Sequence, residues 1–150
     1  MRRLFLLSLL TLCPLAFSAG LPYDEAVDAK AEIHAALVSA QQSKLPVIVV
    51  FGANWCGDCK VLDAAFKTGA VAPLIAKSFR VVKVNVGRYD RNMDLAELYD
   101  VPLKKGIPAV VVLSADGKPL YATRAGELAD ARSMEDTGIY DFFVKVVAAQ

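Results

Sequence analysis

The chain predicts an α/β fold: a mixed sheet between layers of helices, finished by a C-terminal β-hairpin. Three observations carry that reading. Leu45 to Phe51 is an unbroken apolar run, as a central strand covered on both faces requires. Further apolar runs at Arg80–Val86 and Ala109–Leu113 are separated by helix-like segments. Asp116-Gly117 then stands between Leu113 and Pro119, a dipeptide suited to a tight hairpin turn.

The elements follow in order. Asp24 can cap a first helix to about Ser43, because Ala26, Ala29, Ile33, Ala36 and Ala40 repeat at intervals of three and four. His34 lies beside that face and reads as an ordinary helix residue rather than a base. After the first strand a second helix runs to about Thr68, where Gly69 suits its end. A short helix is expected at Val71–Ser78, before the strand Arg80–Val86. Gly87-Arg88-Tyr89-Asp90 is a polar loop, and Asn92 can cap a helix through Tyr99. Pro119 to Thr123 returns as an edge strand, because proline is tolerated there. Ser133-Met134-Glu135-Asp136 resembles a capping box, followed by a stripe of Ile139, Phe142, Phe143, Val146 and Val147. Strands joined through helices are expected to lie parallel, and only the hairpin pair antiparallel.

Residues 1–19 read as an export signal: Arg2 and Arg3, an apolar stretch from Leu4 to Leu15, then small residues around Ser18-Ala19-Gly20. The stretch is too short to span a bilayer comfortably. Its removal takes Cys13 and two arginines, leaving 15 basic against 16 acidic residues, a net charge of −1. No basic patch recommends nucleic acid as a partner. Residues 20–150 suit one domain with a real hydrophobic core.

Cys56 and Cys59 are then the whole thiol complement. Exported chains use cysteines mostly as long-range cross-links. A disulfide here closes a four-residue ring, worth ~2 kcal/mol by loop entropy against ~3 kcal/mol for fifteen residues. Zinc wants about four ligands, and His34 is the sole histidine. No metal site is expected. Redox chemistry remains: two thiols, two residues apart, at a strand-to-helix junction can close and reopen a disulfide. The unpaired N–H groups at the helix start also stabilise a thiolate on the first cysteine.

Trp55-Cys56-Gly57-Asp58-Cys59-Lys60 after a strand, with Gly106-Ile107-Pro108 before a strand and hairpin, resembles the thioredoxin-like superfamily from about Lys44 to Val147. It resembles exported members such as the periplasmic C-terminal domain of DsbD-type reductant transporters. The resemblance implies a thioredoxin-like three-layer sandwich and a role for each residue of the motifs. Cys56 attacks, and Cys59 resolves the mixed disulfide. Pro108 is cis beside the disulfide, leaving the Ile107 backbone to pair with an extended substrate. Trp55 shields the disulfide, with a core anchor as the plainer reading. Gly126 matches a glycine that lets substrate approach, with a mere turn glycine as the alternative. Two positions depart from the pattern: Val50 stands where such proteins bury an acid, and Asp58 where proline is usual. Asp58 is the nearest substitute for that acid, and Lys83 matches the buried lysine that accompanies it. A carboxylate at Asp58 should also disfavour the Cys56 thiolate, tilting the couple toward reduction; Lys60, Lys104 and Lys105 could offset part of this.

The expected function is an exported, periplasmic thiol–disulfide oxidoreductase that reduces protein disulfides. It needs no cofactor beyond the Cys56–Cys59 disulfide, and its electrons are expected from an upstream dithiol donor, a membrane-bound one among the candidates. In a source without an outer membrane the destination is secreted or luminal. A monomer is the default for this fold. The alternatives are an oxidase or isomerase, and a redox-independent peptide-binding or assembly module.

Overall fold

The computed structural model describes residues 20–150; the expected signal segment and Cys13 lie outside the described residues. The elements are α1 (Ala29–Ser43), β1 (Val47–Gly52), α2 (Gly57–Ala65), α3 (Val71–Ser78), β2 (Arg80–Asn85), α4 (Met93–Leu98), β3 (Ala109–Leu113), β4 (Pro119–Ala122) and α5 (Glu135–Ala148). Short 3-10 turns stand at Leu103–Lys105 and Ala131–Ser133. The sheet order is β2-β1-β3-β4.

Side chains alternate across the sheet and so build two cores. Val47, Val49, Phe51, Val82, Val84 and Val111 pack with Ala29, Ile33 and Ala40 of α1 and with Leu95 and Ala96 of α4. Ile48, Val50, Val110 and Val112 face α2, α3 and α5 through Leu62, Ile75, Ile139 and Phe143. Every residue of β1 is buried, which accounts for its continuous apolar sequence. Each large apolar side chain there contributes roughly 1.5–3 kcal/mol by leaving water.

The sense of β3 corrects the sequence reading. β1 and β2 are parallel, with Gly52 opposite Asn85. β3 is antiparallel to β1, with Ala109 opposite Phe51. The six-residue α4 rises only about 9 Å, so the chain leaving β2 re-enters the sheet at the same edge instead of crossing to the far one. This reversal brings Ile107-Pro108 to the edge where β1 ends and the cysteines begin. A parallel β3 would have put them at opposite ends.

Three helix starts also differ from expectation. Asp28, not Asp24, caps α1, accepting from the Lys30 and Ala31 N–H groups at 3.0 and 3.2 Å. Asp24 instead accepts from Ala26 N–H at 2.8 Å within the preceding strap, whose Tyr23 is buried. Asn92 makes no side-chain cap; its amide donates to the Asn85 carbonyl at 2.8 Å and closes the polar loop. The capping box at Ser133 does not form, because the Ser133 hydroxyl donates to Asp130 within the 3-10 turn that precedes α5.

Candidate active site

β1 delivers the chain to the sheet edge, and Ala53-Asn54-Trp55 turns it into α2. Cys56 is the cap residue of that helix, and the Cys59 N–H donates to its Sγ at 3.1 Å. A thiolate at Cys56 would receive that same N–H and the positive end of the helix dipole. The two cysteines are disulfide-bonded, with Cα atoms 5.2 Å apart, inside the range such a bond requires. Cys56 keeps a sliver of exposure, whereas Cys59 is wholly buried. The geometry therefore presents Cys56 to a visitor and Cys59 only to Cys56.

The Ile107–Pro108 bond is cis, and the Ile107 carbonyl oxygen lies 3.5 Å from Cys56 Sγ. Among the described residues, neither the N–H nor the carbonyl of Ile107 takes a backbone partner. An extended peptide could pair there while presenting a sulfur to Cys56. Gly126 sits behind this loop at φ +80°, where a Cβ would run into the Lys105 carbonyl oxygen. The close approach it permits is internal, between its own loop and the one leading to Pro108.

Trp55 is half exposed, with its indole N–H donating to the Gly87 carbonyl at 2.7 Å. Tyr89 meets it edge-on and the Arg88 guanidinium lies 5.9 Å from its ring centroid, so it stands as a braced wall rather than a core anchor. Lys60, Lys104 and Lys105 are exposed at the rim. His34 is exposed on α1, away from these residues.

Asp58 behaves differently from expectation. Its Oδ1 accepts from the Arg132 backbone N–H at 3.0 Å and from its guanidinium Nε at 3.1 Å. Gly57 lies against the same guanidinium, since a Cβ there would meet it at 3.3 Å. Burial opposes ionisation of Asp58 and is the largest influence, but the Arg132 bonds and charge together hold its carboxyl below the usual range. Asp58, which the sequence reading gave as the nearest substitute for the missing acid, is therefore a charge captured by Arg132 beside Cys56.

A second acid was missed. Asp63, nearly buried, follows Cys59 by one helical turn and pairs with Lys83 and, at 2.7 Å, with Lys67. Lys83 is the register partner of Val50, so the acid absent from β1 has a counterpart on α2. Burial pushes the Lys83 ammonium below the ordinary lysine range. An acid at helical spacing from Cys59, between the apolar Leu62 and Ala65, was the available signal.

Residues 28–115 match the family model described as thioredoxin-like. The chain belongs to the thioredoxin-like family. Over 91 residues it is 35% identical to a thioredoxin of Acidithiobacillus ferridurans, covering 61% of this chain and 75% of that one. It is 50% identical to a disulphide isomerase from Xylella fastidiosa Temecula1 of known crystal structure, with a TM-score of 0.82 over 86% of this chain and 98% of that one. A DsbH oxidoreductase, 19% identical with a TM-score of 0.57 over 95% and 92% of the two chains, shares the fold. With its Cys56–Cys59 pair, this thioredoxin-like protein is a thiol–disulfide oxidoreductase.

Proposed function

We propose that the protein is an exported reductant of protein disulfides, drawing electrons from an upstream dithiol protein. The observation that carries the proposal is the placement of Cys56: its sulfur receives a helix N–H at 3.1 Å and lies 3.5 Å from the Ile107 carbonyl, which takes no backbone partner. The Cys56 thiolate attacks a substrate sulfur, forming a mixed disulfide and releasing the first substrate thiolate. Cys59 then attacks Cys56 Sγ, the Cys56–Cys59 bond forms, and the second substrate sulfur leaves reduced. Two electrons have passed to the substrate, and the donor dithiol must return them.

The leader-like residues 1–19 support export, and with it a periplasmic, secreted or luminal site of action. A net charge of −1 after removal of that leader gives no support to a nucleic-acid partner. We take the monomer as the working unit. The ionised Asp58 beside Cys56 supports the reducing direction, weakened by the guanidinium that captures it.

The 50% identity to a disulphide isomerase favours a second reading. Both begin with the same attack by Cys56. They differ in what breaks the mixed disulfide: Cys59 for reduction, a thiol of the substrate for rearrangement. Insulin-disulfide reduction by wild type and Cys56→Ser tests the proposal, with turnover expected only in wild type. Equal rates in the two proteins, or none in either together with no reactivation of scrambled ribonuclease, would move the assignment to a redox-independent binding module. Reactivation of scrambled ribonuclease without insulin turnover would favour the isomerase.

A further inference from the structure

Arg132 reaches the cysteine turn from a distant part of the chain and remains open to a visitor. It stands in the 3-10 turn Ala131–Ser133. Its backbone N–H and its guanidinium Nε both donate to Asp58 Oδ1, at 3.0 and 3.1 Å. The guanidinium lies over Gly57, where a Cβ would meet its Cδ, Nε and Nη1 at 3.3 Å. Gly57 and Asp58 are the residues between Cys56 and Cys59, so the cation rests on the turn that carries the disulfide. A side chain anchored in this way has already lost much of its freedom, which lowers the entropic cost of using it to bind. The anchor takes up only one side of the group. Among the described residues neither terminal nitrogen of Arg132 has an acceptor. The free edge is a pair of N–H donors, the fork that fits a carboxylate with two hydrogen bonds. Neighbouring acids do not fill it. Asp130 also attracts this cation, but its Oδ1 accepts from the Ser133 hydroxyl at 2.9 Å. Glu127 turns to the Arg124 and Ala125 N–H groups, at 3.1 and 3.0 Å.

We propose that Arg132 is a substrate-binding residue whose free edge takes the carboxylate of an Asp or Glu beside the target cysteine, so that the protein selects disulfides in acidic stretches of its substrates. The proposal rests on the exchange chemistry assigned to Cys56 above. A substrate joined to Cys56 lies across the mouth of the site. The Ile107 carbonyl, 3.5 Å from the Cys56 sulfur, marks where its backbone can pair, and the guanidinium over Gly57 is in place for a neighbouring side chain. The sign of the selection follows from which charge a visitor meets. Arg132 is 65% exposed and the Asp58 side chain only 10%, so the cation faces solvent and the anion lies beneath it. Without Arg132, Asp58 would repel the same acidic substrate. Lys60, Lys104 and Lys105, exposed at the rim and without an ion-pair partner among the described residues, add to the attraction.

The test compares substrates that differ only in charge. Model peptide disulfides carry Glu, Gln or Lys at neighbouring positions before or after the cysteine. Mixed-disulfide formation with the Cys59→Ser protein is timed at about 0.15 M salt, where charges are screened beyond ~8 Å. Each rate is divided by that of the same peptide with β-mercaptoethanol, which removes the reactivity of the peptide itself. With Arg132 present, Glu is expected to react roughly three- to fivefold faster than Gln at one or more positions, and Lys slower, the scale of a partly solvated ion pair. Arg132→Gln should remove this preference or invert it, because Asp58 is then uncompensated. Asp58→Asn should widen it. A changed Cys56 pKa alters the rates of all peptides alike and cancels in the ratios, so a purely structural Arg132 would leave them unmoved. Asp58→Asn/Arg132→Gln, which leaves no lone buried charge, should bring the Glu-to-Gln ratio close to one and serves if Arg132→Gln does not fold. A ratio of one at every position with Arg132 present, or a preference that survives its replacement, overturns the proposal. Failure of the Cys59→Ser protein to capture any peptide overturns instead the exchange chemistry on which it rests.

Discussion

Removing the Arg132 guanidinium should make the Cys56 thiol harder to ionise. Asp58 follows Cys56 by two residues and is nearly buried, and its Oδ1 takes two hydrogen bonds from Arg132. In Arg132→Gln the carboxylate loses its cation and acts on a Cys56 thiolate as an isolated negative charge. At ~7 Å and an effective dielectric of ~20 to ~40, that repulsion is about 1–2.5 kcal/mol, or roughly one to two pKa units. Asp58→Asn leaves the guanidinium against Gly57 and should shift the thiol the opposite way, by less, because Arg132 is largely solvated. The double variant should fall between the two. The assay is the pH dependence of Cys56 alkylation in the reduced proteins, with thiolate ultraviolet absorbance as a check and thermal melting to confirm folding. A Cys56 pKa that falls or holds still in Arg132→Gln, or rises in Asp58→Asn, refutes this account of the captured charge.

Other expectations concern the frame around the site. The Asp58 carboxyl is held low in the fold, so its contribution to stability is complete above the unfolded value of about 3.9 and disappears as pH falls through the lower folded value. Asp58→Asn should therefore lose less melting temperature than wild type on acidification below about pH 4, and parallel curves would contradict this. Gly126→Ala adds a Cβ against the Lys105 carbonyl at a positive φ, which should cost about 1–2 kcal/mol for the backbone alone and lower insulin turnover by displacing the Pro108 loop. An unchanged denaturation midpoint would show that the loop yields freely. Tyr23 is buried on Gly52, which has no room for a Cβ, and its N–H and carbonyl are both held by Asn54. Tyr23→Ala should cost about 3–5 kcal/mol, as aromatic truncations in cores do, measurable by urea denaturation; a loss under about 1 kcal/mol would mean the strap is dispensable.

The sequence announced the site far better than it announced the chain's path to it. Seven apolar residues ending at Phe51 read as a covered strand, and the cysteines shortly after it had to lie at the strand's end. The elements from Val71 to Leu113 were legible for the same reason, since periodicity reports which side chains must be hidden. Strand sense was not, because a helix between two strands implies a crossover only if it is long enough to return along the sheet, and α4 is not. Caps failed where a side chain bonded back to the segment preceding its helix: Asn92 went to the Asn85 carbonyl, and Ser133 to Asp130 in a segment held onto α2 by Arg132. Asp58 and Asp63 pair with Arg132 and Lys83, which are 74 and 20 residues away in sequence, and no local pattern reports such pairings. Lys83 was noticed beside an absent acid at Val50, but its actual partner lay on the next helix.

The most direct test is the equilibrium of the Cys56–Cys59 disulfide with defined mixtures of reduced and oxidised glutathione, followed by mass spectrometry of acid-quenched protein. The account predicts a reversible two-electron couple at the reducing end of its family's range, nearer the roughly −270 mV of thioredoxin than the roughly −120 mV of DsbA. A couple at the oxidising end would contradict the proposed direction, and a pair that never equilibrates with glutathione would contradict the exchange chemistry itself.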